Sequence, residues 1–205
     1  DLEEYLEWSQ VFRRFITKNN KINRSPKGSL IVPMAGLGKR FQNEGYQQIK
    51  PLIEVSGRSM VTTAIKSCPS VKINSFVLRG DMPGLENIHK ELSHQFKGSY
   101  FHFLDRVTEG QAVTALEGLN ALQGMLSHIQ EPITVAACDN AIFFNPIKLD
   151  EVLQDNDYDV LVWGGVNHTN AKRHPEMFGW IDYDEMTLDI CRVSVKKPID
   201  ESFTH

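Results

Sequence analysis

Two clusters in this chain combine residue types that can bind phosphate or a metal. The first is Pro33-Met34-Ala35-Gly36-Leu37-Gly38-Lys39-Arg40-Phe41, followed by Lys50-Pro51-Leu52. Glycines after a strand let the backbone bend close to a bound phosphate with its amides facing it, and Lys39, Arg40 and Lys50 add charge-assisted donors. Taken alone, the Gly-x-Gly also describes an ordinary tight turn from strand to helix with solvated cations beside it. The second cluster is the apolar run Val135-Ala136-Ala137-Cys138 ending in Asp139-Asn140. An aspartate at the carboxyl end of a parallel strand lies where α/β sheets hold ligands, and its carboxylate suits a hard cation such as Mg²⁺. It is equally suited to cap the next turn.

Several other chemistries are absent from the pattern. Phe41 stands where a dinucleotide fingerprint would carry its third glycine, and no Gly-Lys-Ser or Gly-Lys-Thr closes a P-loop. His89, His94, His102, His168 and His174 show no metal-ligand spacing, and there is no Gly-x-Ser-x-Gly nucleophile motif.

These residues need a scaffold, and the hydrophobic pattern supplies one. Short apolar runs read as buried strands at 29–34, 75–78, 100–104, 133–137 and 160–163. Helical patterns lie between them at 60–67, 85–96, 111–128 and 149–154, so strand and helix alternate. The expected fold is α/β, with a mostly parallel, Rossmann-like, three-layer sheet. Beyond Trp163 the segments 178–183 and 188–193, separated by Asp184-Glu185-Met186-Thr187, read as an antiparallel hairpin. Ahead of the sheet, residues 1–17 carry an amphipathic helical stripe with a capping box from Asp1 to Glu4, suited to be the tail of a preceding domain. Residues 18–29 are polar and rich in turn formers, as in a linker, leaving 30–205 as the main domain.

Composition narrows the partners. The chain has 205 residues, 41% of them hydrophobic and 23% charged, with a formal net charge of −4. Such a balance gives no global attraction for a nucleic-acid backbone, so an anionic ligand must be held by locally placed cations and amides. Cys68, Cys138 and Cys191 are widely spaced and odd in number, which fits a reducing, cytoplasmic setting. No apolar run reaches the roughly 18 residues of a spanning helix, and the start of the sequence does not resemble a signal peptide. No membrane or nucleic-acid partner is expected.

Five ordered segments resemble the sugar-nucleotidyltransferase family, the nucleoside-diphosphate-sugar pyrophosphorylases. They are Gly36-Leu37-Gly38-Lys39-Arg40, Lys50-Pro51-Leu52 with Gly57-Arg58-Ser59-Met60, Glu109-Gly110-Gln111-Ala112, Cys138-Asp139-Asn140, and Phe178-Gly179-Trp180-Ile181 with Lys196-Lys197-Pro198. The insert Phe41-Gln42-Asn43-Glu44-Gly45-Tyr46 is similar to the capsule and surface-polysaccharide members. The resemblance implies the nucleotidyltransferase, glycosyltransferase-A-like fold. It implies an enzyme that joins a nucleoside monophosphate from an NTP to a sugar 1-phosphate or similar acceptor and releases pyrophosphate.

Roles follow by resemblance. Arg40, Lys50 and Lys197 are the catalytic cations. Ala35, Gly36, Leu37, Gly38, Lys39, Gly110 and Gln111 bind the nucleotide, and Asp139 holds Mg²⁺. Gly179, Lys196 and Lys197 face the acceptor. Glu109 to Ala112 open a helix that packs the nucleobase, and a helix start capped by Thr108 is compatible with that role. Lys39 replaces a small hydroxyl residue of the family. Lys196 replaces a glutamate that receives sugar hydroxyls, and a lysine accepts no hydrogen bond. The family's second metal-binding aspartate comes from a strand beyond the Lys-Pro motif, so the domain is expected to be truncated at its C-terminus. A non-catalytic relative acting as sensor or subunit, and a cytidylyltransferase for phosphocholine or an alditol phosphate, remain alternatives. Homo-oligomerisation and fusion to another domain also stay open.

Overall fold

The computed structural model describes Glu7, Gln10, Val11 and Arg14, and residues 26–55, 57–129, 131–155, 157–166 and 169–200. Most of the expected helix over 1–17 and of the linker over 18–29 lies outside the described residues; the four isolated ones are helical. The chain divides into two compact units, Asp1–Gln154 and Asp155–His205.

The first unit is built on four strands, β1 (Ser29–Pro33), β4 (Ile73–Arg79), β5 (Tyr100–Leu104) and β6 (Ile133–Val135). Their order is β5-β4-β1-β6 and every pairing is parallel. β1 is buried along its whole length, as a strand covered on both faces must be. Its side chains alternate between two cores. Leu30, Val32 and Met34 join Phe76 and Leu78 of β4, and meet Val61 and Ile65 of α2 (Met60–Ser67) and Ile88 and Leu92 of α3 (Leu85–Gln95). Ile31 and Ala35 face the other way with Val77 and Leu104, against Ala115 of α4 (Gln111–Met125). Helices therefore cover both faces of a parallel sheet, giving the expected three layers. Burial of each large aliphatic side chain contributes about 1.5–3 kcal/mol, which makes these two clusters the main stabilising feature. At Gly118 of α4 a Cβ would run into Val77, so the helix approaches the sheet through its missing side chain.

Smaller elements fill the connections. α1 (Lys39–Asn43) and a 3₁₀ turn (Lys50–Leu52) follow β1; β2 (Glu54–Val55) and β3 (Arg58–Ser59) form a short antiparallel pair. Ser59 then caps α2 by accepting from the Thr62 amide. α5 (Pro146–Val152) starts three residues before the expected 149, because Pro146 occupies its first turn and Asn145 caps it through the Ile147 and Lys148 amides.

The second unit contains α6 (Thr169–Arg173), a 3₁₀ turn (Pro175–Met177) and the antiparallel hairpin β7 (Gly179–Tyr183) and β8 (Ile190–Val195), as the alternating pattern predicts. The Asp184 carboxylate holds the turn by accepting from the Met186 and Thr187 amides. The expected strand at 160–163 is not formed. Val160, Leu161, Val162 and Trp163 are exposed, and no strand ladder includes them. An apolar run becomes a strand only when a neighbour takes up its backbone groups, a non-local condition that a four-residue run does not reveal.

Candidate active site

Strand order places the site. From β1 the chain builds outward through β4 to β5, then returns to add β6 on the other side of β1. The reversal falls between β1 and β6, and the carboxyl ends of strands at such a reversal are where α/β sheets form their ligand crevice. The loop leaving β1 carries Ala35 to Gly38, and the loop leaving β6 carries Cys138 and Asp139. α4 follows the carboxyl end of β5 and so starts at the same edge of the sheet, carrying Gly110 and Gln111 at its first turn.

Within the crevice the Lys50 ammonium pairs with the Asp139 carboxylate, across 89 positions of sequence. Lys50 Nζ also lies 5.4 Å from the centroid of the Phe41 ring, and Tyr46 packs edge-on against that ring at 5.5 Å. An aromatic face attracts a cation, so the Phe41 ring, itself packed on Tyr46, helps hold the lysine beside Asp139. Gly38 has φ +63°, a left-handed conformation that favours glycine, and it starts α1, where Lys39 and Arg40 are exposed. Asp139 therefore ties its carboxylate to a cation of the first motif.

The loop after Asp139 is anchored from behind. Buried Ser67, at the end of α2, donates to the Ala64 carbonyl at 2.6 Å and accepts from the Ile142 amide at 3.0 Å. Behind the glycine loop, Arg79 donates to the Ala35 carbonyl at 2.7 Å and pairs with Asp81. The neighbouring Cys138 thiol is pushed up to about 11, by burial first and then by the Asp139 charge, so it stays protonated at neutral pH. Sequence reasoning passed over Phe41 and Tyr46 as side chains, and Ser67 and Arg79 altogether. For Arg79 a signal existed: a charged residue directly after the apolar run Phe76-Val77-Leu78 needs a partner if it is buried with that run.

One local expectation is corrected. Thr108 does not cap α4: Gly110 is the N-cap, without a side-chain cap bond. The Thr108 hydroxyl lies 3.1 Å from the Gly110 carbonyl, to which it donates, and 2.6 Å from Thr114 Oγ1. That hydroxyl is consumed by a carbonyl and is not turned to the helix amides.

Gly179, Lys196 and Lys197 belong to the second unit, where the hairpin brings them together. Gly179 pairs with Val195, and the Lys196 amide donates to the Phe178 carbonyl at 2.8 Å. Lys196 has φ +62°, a conformation that costs a residue with a Cβ about 1–2 kcal/mol.

A cavity of about 520 Å³ lies elsewhere in the first unit, lined by Gln48, Arg58, Thr62, Lys66, Glu91 and others. Leu52, Gly57, Arg58 and Ser59, from the second of the five family segments, line it, but none of the residues assigned a catalytic, nucleotide, acceptor or metal role does.

The fold is similar to that of a nucleoside-diphosphate-sugar pyrophosphorylase from Vibrio cholerae RC9, with a TM-score of 0.60, 21% identity, and coverage of 84% of this chain and 68% of that one. This is a nucleotidyltransferase-like fold. No family model matches the chain, and no curated protein matches it either. The likeness between the two structures concerns the fold.

Proposed function

We propose that this protein transfers a nucleoside monophosphate from an NTP to a phosphorylated small molecule, releasing pyrophosphate. The observation that carries the reading is the Lys50–Asp139 pair at the strand reversal, beside the glycine loop. Each charge neutralises the other. A metal-chelated triphosphate presents both complements, anionic oxygens for the ammonium and a cation for the carboxylate, so one ligand satisfies both groups.

The donor set fits such a ligand. Among the described residues no cluster of three or more His, Cys, Asp or Glu side chains could hold a metal by itself. Mg²⁺ needs no such cage, since it is commonly bound by one or two carboxylates with phosphate and water completing the shell. Asp139 would hold it, and the ion would supply charge neutralisation at the phosphates.

In the reaction a phosphate oxygen of the acceptor attacks the α-phosphorus in line, and the bond from that phosphorus to the bridging oxygen of pyrophosphate breaks. No general base is required, because a phosphate monoester is already ionised at neutral pH. Arg40 and Lys50 neutralise the triphosphate, and the amides of residues 36–38 line it. Gly110 and Gln111 are assigned to the nucleobase. Gly179, Lys196 and Lys197 are assigned to the acceptor on their sequence resemblance alone. The insert 41–46 favours an acceptor of surface-polysaccharide type, a sugar 1-phosphate, used in the cytoplasm where NTPs are made.

The test is pyrophosphate release from the full-length protein with each NTP against a panel of sugar 1-phosphates, phosphocholine and alditol phosphates. Release should require one NTP and one acceptor class, and Arg40→Ala and Lys50→Ala should each reduce it by about two orders of magnitude. Phosphocholine or an alditol phosphate as the productive acceptor would select the cytidylyltransferase alternative. Saturable NTP binding without release across the panel would select the sensor alternative, which the lysine at position 196 favours.

A further inference from the structure

Arg79 has no part in the reaction as proposed, yet it is placed to shape the glycine loop. It is the last residue of β4 and only 5% exposed. A buried guanidinium is costly unless its donors are used. Its Nε pairs with Asp81, which is mostly exposed, and its Nη1 donates 2.7 Å to the carbonyl oxygen of Ala35. The turn behind it is fixed as well: the Arg79 amide faces Met82 Sδ at 3.3 Å, and the Gly80 amide donates to the Leu104 carbonyl at 2.8 Å. The guanidinium is therefore held in place from the sheet side.

The consequence lies one peptide bond away. The Ala35–Gly36 peptide is trans and planar, so its C=O and N–H point in opposite directions. Holding the Ala35 oxygen inward on Arg79 turns the Gly36 N–H outward. Gly36 is exposed there, and a Cβ on it would meet nothing within 4 Å. The geometry points to Arg79 as a positioning residue that presents the Gly36 amide to an anionic group, the polyphosphate of the nucleotide. This inference rests on the nucleotide reading above and adds to it a residue that never touches the ligand.

The test uses ¹⁵N-labelled full chain and inorganic triphosphate as the probe. In wild-type protein the Gly36 amide resonance should move downfield on binding and exchange more slowly with water. Arg79→Met should weaken triphosphate binding about 10- to 100-fold, the loss of one hydrogen bond to a charged group, and should abolish the Gly36 response at saturation. Arg79→Lys, which keeps a donor, should lose less. Lys50→Ala should weaken binding while leaving the Gly36 response at saturation intact, which a general loosening of the fold would not reproduce.

If wild type binds triphosphate but its Gly36 amide stays silent, or if Arg79→Met binds as wild type does, the positioning role is overturned and the nucleotide reading stands. If wild type binds neither triphosphate nor any NTP, the nucleotide reading falls and takes this one with it. Should Arg79→Met fail to fold, Arg79→Lys decides in its place: weaker triphosphate binding with a reduced Gly36 response supports the role, and wild-type values for both overturn it.

Discussion

Gly36→Ala separates stability from binding at the centre of the site. Position 36 does not adopt a positive φ, and an added methyl meets no heavy atom within 4 Å. The protein itself therefore has no steric objection to alanine. Replacing glycine where the backbone tolerates a side chain restricts the unfolded chain and stabilises by about 0.4–1 kcal/mol. For a domain of this size that raises the melting temperature by roughly 1–4 °C. The triphosphate would object, because the methyl occupies the space into which a phosphate must come to reach the Gly36 amide. Loss of a hydrogen bond to a charged group costs about 1.5–3 kcal/mol, so NTP affinity should fall about 10- to 100-fold. Thermal unfolding and titration calorimetry on the same preparation read both effects. A melting temperature that falls by several degrees would refute the backbone geometry at position 36. Unchanged NTP affinity in a fully folded variant would refute the close approach of phosphate to that amide.

Three further outcomes follow from the packing and the charges. Gly118→Ala forces a methyl into Val77 and to 3.2 Å from an Ile31 methyl, so it should destabilise by about 1–3 kcal/mol in urea despite alanine's better helix propensity, and Val77→Ala in the same chain should recover part of that loss. Ser67→Ala strands the Ile142 amide and releases the loop that follows Asp139, so about 1–2 kcal/mol of stability and some NTP affinity should be lost together in matched unfolding and binding measurements. The Cys68 and Cys138 thiols, both pushed up to about 11 by burial, ionise from the unfolded chain first, at a reference value of 9.0. Their contribution is complete below pH 9 and is lost as pH rises through about 11, on the order of 2–3 kcal/mol per thiol; a Cys68→Ala/Cys138→Ala chain should show a shallower alkaline decline in melting temperature, and an identical decline would refute it.

The parts of the fold legible in the sequence are those whose burial is local in pattern. β5 and α2 run over the expected residues because apolar side chains and the Ser59 cap mark their ends. The outward extension of β4 to Ile73 and Arg79 was not legible, since Asn74 and Arg79 interrupt the apolar run and owe their place to pairing with β1 and β5. The run at 160–163 has a composition that suits a strand, but a strand forms only in a ladder with another segment, and composition does not encode that pairing. At the site, residue types announced Lys50 and Asp139 separately. Their contact depends on the crossover that returns β6 beside β1, which spacing along the chain does not encode. Arg79 and Ser67 act through backbone groups of other segments, and no motif records such bonds.

Nucleotidyl transfer is distinguished from NTP hydrolysis and from mere binding by where the α-phosphorus of the nucleotide goes. NTP labelled at that phosphorus should be incubated with the full-length protein, Mg²⁺ and the acceptor panel, and the products separated. The proposal requires the label to appear in a compound that also contains the acceptor, with unlabelled pyrophosphate released in equal amount and both lost in Lys50→Ala. Label that remains in NTP, or that appears as free nucleoside monophosphate whichever acceptor is present, would contradict it.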